Sequence, residues 1–179
     1  MKKVCVYCGS RVPKDPDFKE LAMRLGSTFA KENIRLVYGG GKVGIMGIIA
    51  NACLESGGKV TGVIPTAIKK MEVAHTGLTE LHETQDMHTR KAMLESLSDI
   101  FLVLPGGFGT LDEFFEILTW RQLGFHNKPI ILVNVNGYFD GLMQFVQSGL
   151  KEDFLRPEAL NLFSVVNNFD DCMEMIRYY

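Results

Sequence analysis

Ile34-Arg35-Leu36-Val37-Tyr38-Gly39-Gly40-Gly41-Lys42-Val43-Gly44-Ile45-Met46-Gly47 reads as a short strand, a glycine turn and the opening of a helix. The run Ile34–Tyr38 is almost wholly apolar, as expected of a strand covered on both faces. The helix that follows extends to about Ser56. The same unit recurs on either side. Upstream, a strand at Val4–Cys8 leads to a helix over Phe18–Glu32, with Leu21, Leu25 and Phe29 at helical spacing. Downstream come a strand at Lys59–Ile64, a looser polar segment Pro65–Thr76, and a strand at Leu78–Glu83. Further alternation follows: helix Met87–Leu97, strand Ile100–Leu104, helix Leu111–Leu123, strand Ile130–Val133, and a helix from about Phe139 to Gly149. An edge strand at Phe163–Val166 and a last helix at Asp170–Tyr178 complete the pattern. Short apolar strands between amphipathic helices predict an α/β, doubly wound, mainly parallel sheet with helices on both faces.

No linker or low-complexity stretch divides the chain, so residues 1–179 are expected to form one nucleotide-binding domain. Hydrophobic residues make up 46%, charged residues 22%, and the formal net charge is −2, which provides no basic field for a nucleic-acid backbone. No apolar run approaches the roughly 20 residues of a membrane span. The run Val4–Cys8 ends too soon for a signal peptide, and the four cysteines are scattered. A cytoplasmic protein is expected. Cys5 and Cys8 form a C-x-x-C inside a strand rather than at a helix start, so they read as core rather than as a redox pair.

Sheets of this kind bind ligands at the carboxyl ends of their strands. Two glycine turns lie there. Gly39, Gly41 and Gly44 satisfy G-x-G-x-x-G between a strand and a helix. A dinucleotide site would need an acid at the end of the following strand, and Val60-Thr61-Gly62-Val63-Ile64-Pro65 provides none. Gly39, Gly40, Gly41 and Gly44 therefore read as a phosphate or ribose cradle, or as a device for close helix–strand packing. The second turn is Leu104-Pro105-Gly106-Gly107-Phe108-Gly109-Thr110-Leu111-Asp112-Glu113. Gly106, Gly107 and Gly109 are expected to bend the chain so that backbone N–H groups converge, with the Thr110 hydroxyl and a helix N-terminus added. A phosphate suits that chemistry. Glu113 and Glu116, three apart, share a helix face that Thr119 continues, so Glu116 reads either as an acid that tunes Glu113 or as a solvated helix charge. There is no P-loop sequence, and His75, His82, His88 and His126 make no recognisable metal pattern; His88, next to Arg90, is the one nearest to a candidate site. The apolar stretches Met46–Ile49 and Phe114–Trp120 are either ordinary core or a dimer surface.

Pro105-Gly106-Gly107-Phe108-Gly109-Thr110-Leu111-Asp112-Glu113 resembles the P-G-G-x-G-T-x-x-E signature of the Lonely Guy family, and Met87-His88-Thr89-Arg90-Lys91 resembles that family's M-H-x-R-K. Cys8-Gly9-Ser10, Gly39-Gly40-Gly41, Met46-Gly47 and Thr119-Trp120 with Gln122-Leu123-Gly124 match in order. The resemblance implies a Rossmann-like fold, a homodimer, and hydrolysis of a cytokinin riboside 5′-monophosphate to free base and ribose 5-phosphate. It implies Arg90 and Glu113 as the catalytic pair; cleavage at the sugar calls for a carboxylate beneath it, with Glu113 the candidate and Asp112 the alternate. It implies substrate contacts from Glu72, Arg90, Lys91, Gly107, Phe108, Gly109, Thr110, Leu111, Asp112, Glu113 and Thr119, with Gly106 in the phosphate cradle. Adenosine monophosphate, another purine nucleoside 5′-monophosphate, or simple nucleotide binding without catalysis are the alternatives. Some members carry an old lysine-decarboxylase label. A pyridoxal-phosphate decarboxylase needs a Schiff-base lysine and a partner for the pyridinium nitrogen, and no local feature nominates either. Neither a cofactor nor a metal is expected.

Overall fold

The computed structural model describes residues 1–69 and 74–179. Seven parallel strands form one sheet in the order β4-β3-β2-β1-β5-β6-β7. They are β1 (Lys3–Tyr7), β2 (Arg35–Tyr38), β3 (Val60–Pro65), β4 (Glu80–Thr84), β5 (Ile100–Val103), β6 (Ile130–Val133) and β7 (Ser164–Val166). The intervening helices are α1 (Pro16–Lys31), α2 (Gly44–Glu55), α3 (Thr66–Lys69), α4 (Met87–Ser96), α5 (Phe108–Gln122), α6 (Asp140–Lys151) and α7 (Phe169–Tyr178). The chain winds outward from β1 to β4, then returns to the other side of β1 with β5. Val6 pairs with Tyr38 of β2 and with Leu102 of β5. The order of winding thus reverses between β1 and β5, the place where such sheets open a crevice.

Alternation along the strands divides the core into two faces. Val4, Val6, Leu36, Tyr38 and Leu102 pack with α1, α2 and α7. Cys5, Tyr7, Val37, Val63, Phe101 and Val103 pack with Leu94 of α4, Phe114 and Ile117 of α5, and Phe139 at the start of α6. Burying a side chain such as Phe101 or Phe114 contributes about 1.5–3 kcal/mol. Met46, Ile49, Phe114 and Ile117 are core, which accounts for the apolar character of α2 and α5 without a subunit contact. Cys5 and Cys8 fall on opposite faces of the sheet, and all four cysteines are unpaired and buried. The core reading of that pair holds.

The helix starts differ in a way that matters below. Asp15 caps α1 by accepting from Asp17 N (3.0 Å), Asp86 caps α4 by accepting from Thr89 N (2.7 Å), and Asn168 caps α7 by accepting from Asp171 N (2.9 Å). The N-cap residues of α2 and α5, Val43 and Gly107, make no side-chain capping bond. Helix α5 also starts at Phe108, three residues before the start expected from Leu111. Its first turn includes Gly109, a poor helix former, because Thr110 is buried against Gly106 and holds the turn in place. The segment after β3, read as loose, opens with the single helical turn α3. Among the described residues, no helix is long and apolar enough to cross a membrane.

Candidate active site

A cavity of about 500 Å³ opens at the carboxyl end of the sheet, at the β1/β5 reversal. Its wall comes from the segments leaving β1 (Cys8–Arg11), β2 (Gly39), β3 (Ile64, Pro65), β5 (Pro105–Gly107) and β6 (Tyr138), together with α2, α4 and α5. One end is rich in main-chain donors. Leu111 N reaches back to Gly107 O at 3.1 Å, so the N–H groups of Phe108, Gly109 and Thr110 precede the first intrahelical bond of α5. With no side-chain cap, these donors and the positive end of the helix face the cavity. The Thr110 side chain is buried and accepts no capping role of its own.

The glycines of this turn do not all serve one end. Gly106, Gly107 and Gly109 all have ordinary negative φ, so backbone strain is not what the turn requires. A Cβ on Gly107 or Gly109 would meet nothing within 4 Å, so these positions leave open a path by which an anion reaches the main chain. A Cβ on Gly106 would collide with the Thr110 hydroxyl and sit 2.8 Å from Gly9 N. Gly106 is needed for packing; Gly107 and Gly109 for access.

Deeper in the cavity, Arg90 from α4 and Glu113 from α5 form a buried pair, with Nη1 donating to Glu113 Oε1 at 2.5 Å. Arg90 Nε donates to Val63 O at 3.1 Å, which fixes the guanidinium against the end of β3. Burial pushes the Glu113 carboxyl above its ordinary value; Arg90 opposes that shift and the charge of Asp112 adds to it. The result is a buried carboxylate whose proton affinity is raised, the direction that suits a general base.

Of the residues named from sequence, Arg90, Gly106, Gly107, Phe108, Gly109, Thr110, Asp112, Glu113 and Gly39 meet on this wall. Gly40, Gly41 and Gly44 do not. Gly40 O accepts from His75 N (3.0 Å), Gly41 O accepts from the Tyr38 hydroxyl (3.0 Å), and Gly44 presses against the backbone of Ser10 and Arg11. The packing reading fits these three better than the cradle. Leu111 is half-buried against the core face of α4–α6. Lys91 and Thr119 line a second, shallower hollow with Phe115, Glu116 and Trp120; Asp112 borders both hollows. There Lys91 Nζ pairs with Glu116 (2.9 Å) and Asp112 (3.1 Å). Glu116 therefore neutralises Lys91 rather than tuning Glu113, whose carboxyl responds to burial, Arg90, Asp112 and Lys91. Glu72 lies outside the described residues. His88 is exposed on α4 and absent from the wall, whereas His75 and His126 are held by Asn51 (2.8 Å) and by Ile117 O (2.8 Å).

Sequence reasoning missed Arg11, Phe18, Ile68 and Tyr138 on the cavity wall. Only Arg11 left a signal, since it follows the Cys8-Gly9-Ser10 motif at the end of β1. Tyr138 donates to Gly106 O at 2.6 Å and packs edge-on against Phe18, so it braces the glycine turn after β5 from the segment after β6. Cys8 also reaches the wall, but burial raises its thiol well above the ordinary value, so it is no thiolate nucleophile.

A family model described as "Possible lysine decarboxylase" matches residues 46–176. The described part of the site offers no Schiff-base lysine for a pyridoxal-phosphate enzyme. Among the described residues no lysine lines the main cavity, and Lys91 is held protonated: burial works against its charge, but the hydrogen bonds it donates to Glu116 and Asp112 outweigh it. A cytokinin riboside 5′-monophosphate phosphoribohydrolase of Rhodococcoides fascians is 45% identical over 177 residues, covering 98% of this chain and 89% of the relative. One of Arabidopsis thaliana is 42% identical over 178 residues, covering 99% and 84%. Among solved structures, the molybdenum cofactor binding protein of Rippkaea orientalis superposes with a TM-score of 0.73 at 21% identity, covering 99% of this chain and 96% of that one. The molybdenum cofactor carrier protein of Chlamydomonas reinhardtii superposes with a TM-score of 0.72 at 16% identity, covering 99% of each. At those identities the likeness is one of fold, a Rossmann-like parallel sheet. Near-full-length similarity to the phosphoribohydrolases, shared with the signature around Glu113, shows that the chain belongs to the Lonely Guy family.

Proposed function

We propose that this chain hydrolyses the N-glycosidic bond of an N6-modified adenosine 5′-monophosphate, releasing the free base (a cytokinin) and ribose 5-phosphate. The observation that carries the reading is that the buried Arg90–Glu113 pair and the uncapped α5 N-terminus face one cavity. Family membership supports the same substrate class. The 5′-phosphate docks on the N–H groups of Phe108, Gly109 and Thr110, which leaves the ribose over Glu113.

As the C1′–N bond lengthens, positive charge grows on the sugar and the electron pair passes to the base. The Glu113 carboxylate stabilises that cation and takes a proton from the attacking water, whose oxygen bonds to C1′. The departing base gains a proton from solvent, which balances the hydrolysis. Arg90 orients the substrate through charge-assisted hydrogen bonds and offsets developing negative charge. Preorganised charge of this kind is worth roughly 10²–10³ in rate per group.

The proposal includes a homodimer in the cytoplasm. Leu123 and Phe125, 62% and 73% exposed just beyond α5, offer apolar surface for a second copy, and four unpaired thiols suit a reducing compartment. Sedimentation measures the first. Incubating the pure protein with adenosine monophosphate and its N6-alkylated analogue, and quantifying free base and ribose 5-phosphate, tests the activity. Release from adenosine monophosphate alone replaces the cytokinin substrate by a general purine nucleotide; binding with no release leaves a nucleotide-binding module.

A further inference from the structure

We propose that Arg11 is the counter-charge for the 5′-phosphate and sets the preference for phosphorylated over unphosphorylated nucleosides. The inference rests on the cavity being a nucleotide site, as above. Among the described residues, the charged side chains on its wall besides Arg11 are Arg90, Asp112 and Glu113, with a formal sum of −1. A bound phosphate adds close to two negative charges, and the end of a helix supplies only about half a positive one. A further cation is therefore needed near α5.

The charge of Arg90 is already matched by Glu113. Its Nε is engaged by Val63 O (3.1 Å), its Nη1 by Glu113 (2.5 Å), and the remaining edge of the guanidinium lies against Gly39. Arg11 is exposed at the cavity wall and makes no ion pair or side-chain hydrogen bond among the described residues. A planar guanidinium on a long stem suits bidentate capture of a phosphoryl group.

The backbone leading to Arg11 is held at the phosphate turn. Gly9 N donates to Pro105 O (3.2 Å), and Gly9 O accepts from Met46 N (3.3 Å). A Cβ on Gly9 would sit 3.3 Å from Gly106 Cα, so the β1 and β5 turns touch. On the other side lies Gly44, with φ of +67°, whose missing Cβ is replaced by the backbone of Ser10 and Arg11. The last glycine of G-x-G-x-x-G thus has a use that the cradle reading did not supply. It makes room for the segment that aims Arg11 at the phosphate.

The test uses Arg11→Gln, which keeps length and polarity at an exposed position. KM and kcat are measured on the nucleoside monophosphate, and dissociation constants for ribose 5-phosphate and for adenosine by calorimetry. Loss of a charge-assisted contact is expected to raise KM and the ribose 5-phosphate dissociation constant by about tenfold or more, with the loss in KM rather than kcat. Adenosine affinity stays put, the salt dependence of ribose 5-phosphate binding flattens, and Arg11→Lys recovers part of it. An unchanged ribose 5-phosphate dissociation constant, or an equal loss for adenosine, overturns the proposal. Should the wild-type protein release no base from any nucleotide, the activity reading fails, while the two binding measurements still decide the role of Arg11.

Discussion

Gly39 and Arg90 are in contact through an absence: a Cβ on Gly39 would occupy the space taken by the Arg90 guanidinium and would also crowd Met46 Sδ at 3.2 Å. The end of β2 is thus cut back to seat a charged side chain from α4. That seat, with Val63 O, determines where Arg90 meets Glu113. The buried Arg90–Glu113 pair is placed by main chain at Val63 and Gly39.

Gly39→Ala should therefore act through Arg90. The displaced guanidinium opposes burial of the Glu113 charge less effectively, so the acid limb of the kcat/KM profile moves to higher pH while nucleotide turnover falls by about tenfold or more. A pH–rate profile with an unmoved limb would show that the contact is packing alone.

Glu113→Gln keeps shape but loses charge. Turnover should drop by about 10² or more with ligand affinity nearly intact. Arg90→Ala should lower binding, turnover and thermal stability together, because it strands a buried carboxylate; losing one partner of a buried pair costs about 3 kcal/mol. Single-turnover kinetics beside thermal unfolding separates the two variants.

The phosphate turn makes opposite demands on neighbouring glycines. Gly109→Ala adds a methyl group into open space, so stability should hold while affinity for ribose 5-phosphate weakens. Gly106→Ala meets Thr110 and Gly9 and should destabilise by about 1–3 kcal/mol. Chemical denaturation and ligand titration of both proteins provide the comparison.

Asp112 raises the proton affinity of Glu113. In the proposed hydrolysis Glu113 acts ionised, so kcat/KM should fall as pH drops through a midpoint above the ordinary glutamate value of 4.5. In Asp112→Asn that midpoint should move to lower pH, since a negative neighbour has gone and protonation of Glu113 is less favoured. Lys91 stays held by Glu116, which limits collateral change. A midpoint that rises or stays fixed would refute the electrostatic link.

The sequence by itself determined the strands and helices and the two glycine turns at strand ends. Apolar period and glycine position are local properties, and β6 at Ile130–Val133 was legible to the residue. Arg90 and Glu113 could be named from their motifs, 23 residues apart. Only the tertiary structure decided what each motif residue faces. Arg90 and its neighbour Lys91 leave α4 about 100° apart, so one enters the cavity while the other turns to Glu116 and Asp112 in the second hollow. Gly39 belongs to the wall and Gly44 to the packing behind Arg11, although one motif contains both. Arg11 and Tyr138 come from strands distant in sequence that the sheet order β1-β5-β6 brings to a single crevice. Which strands become neighbours depends on how the whole chain buries its apolar surface, and no local window contains that sum.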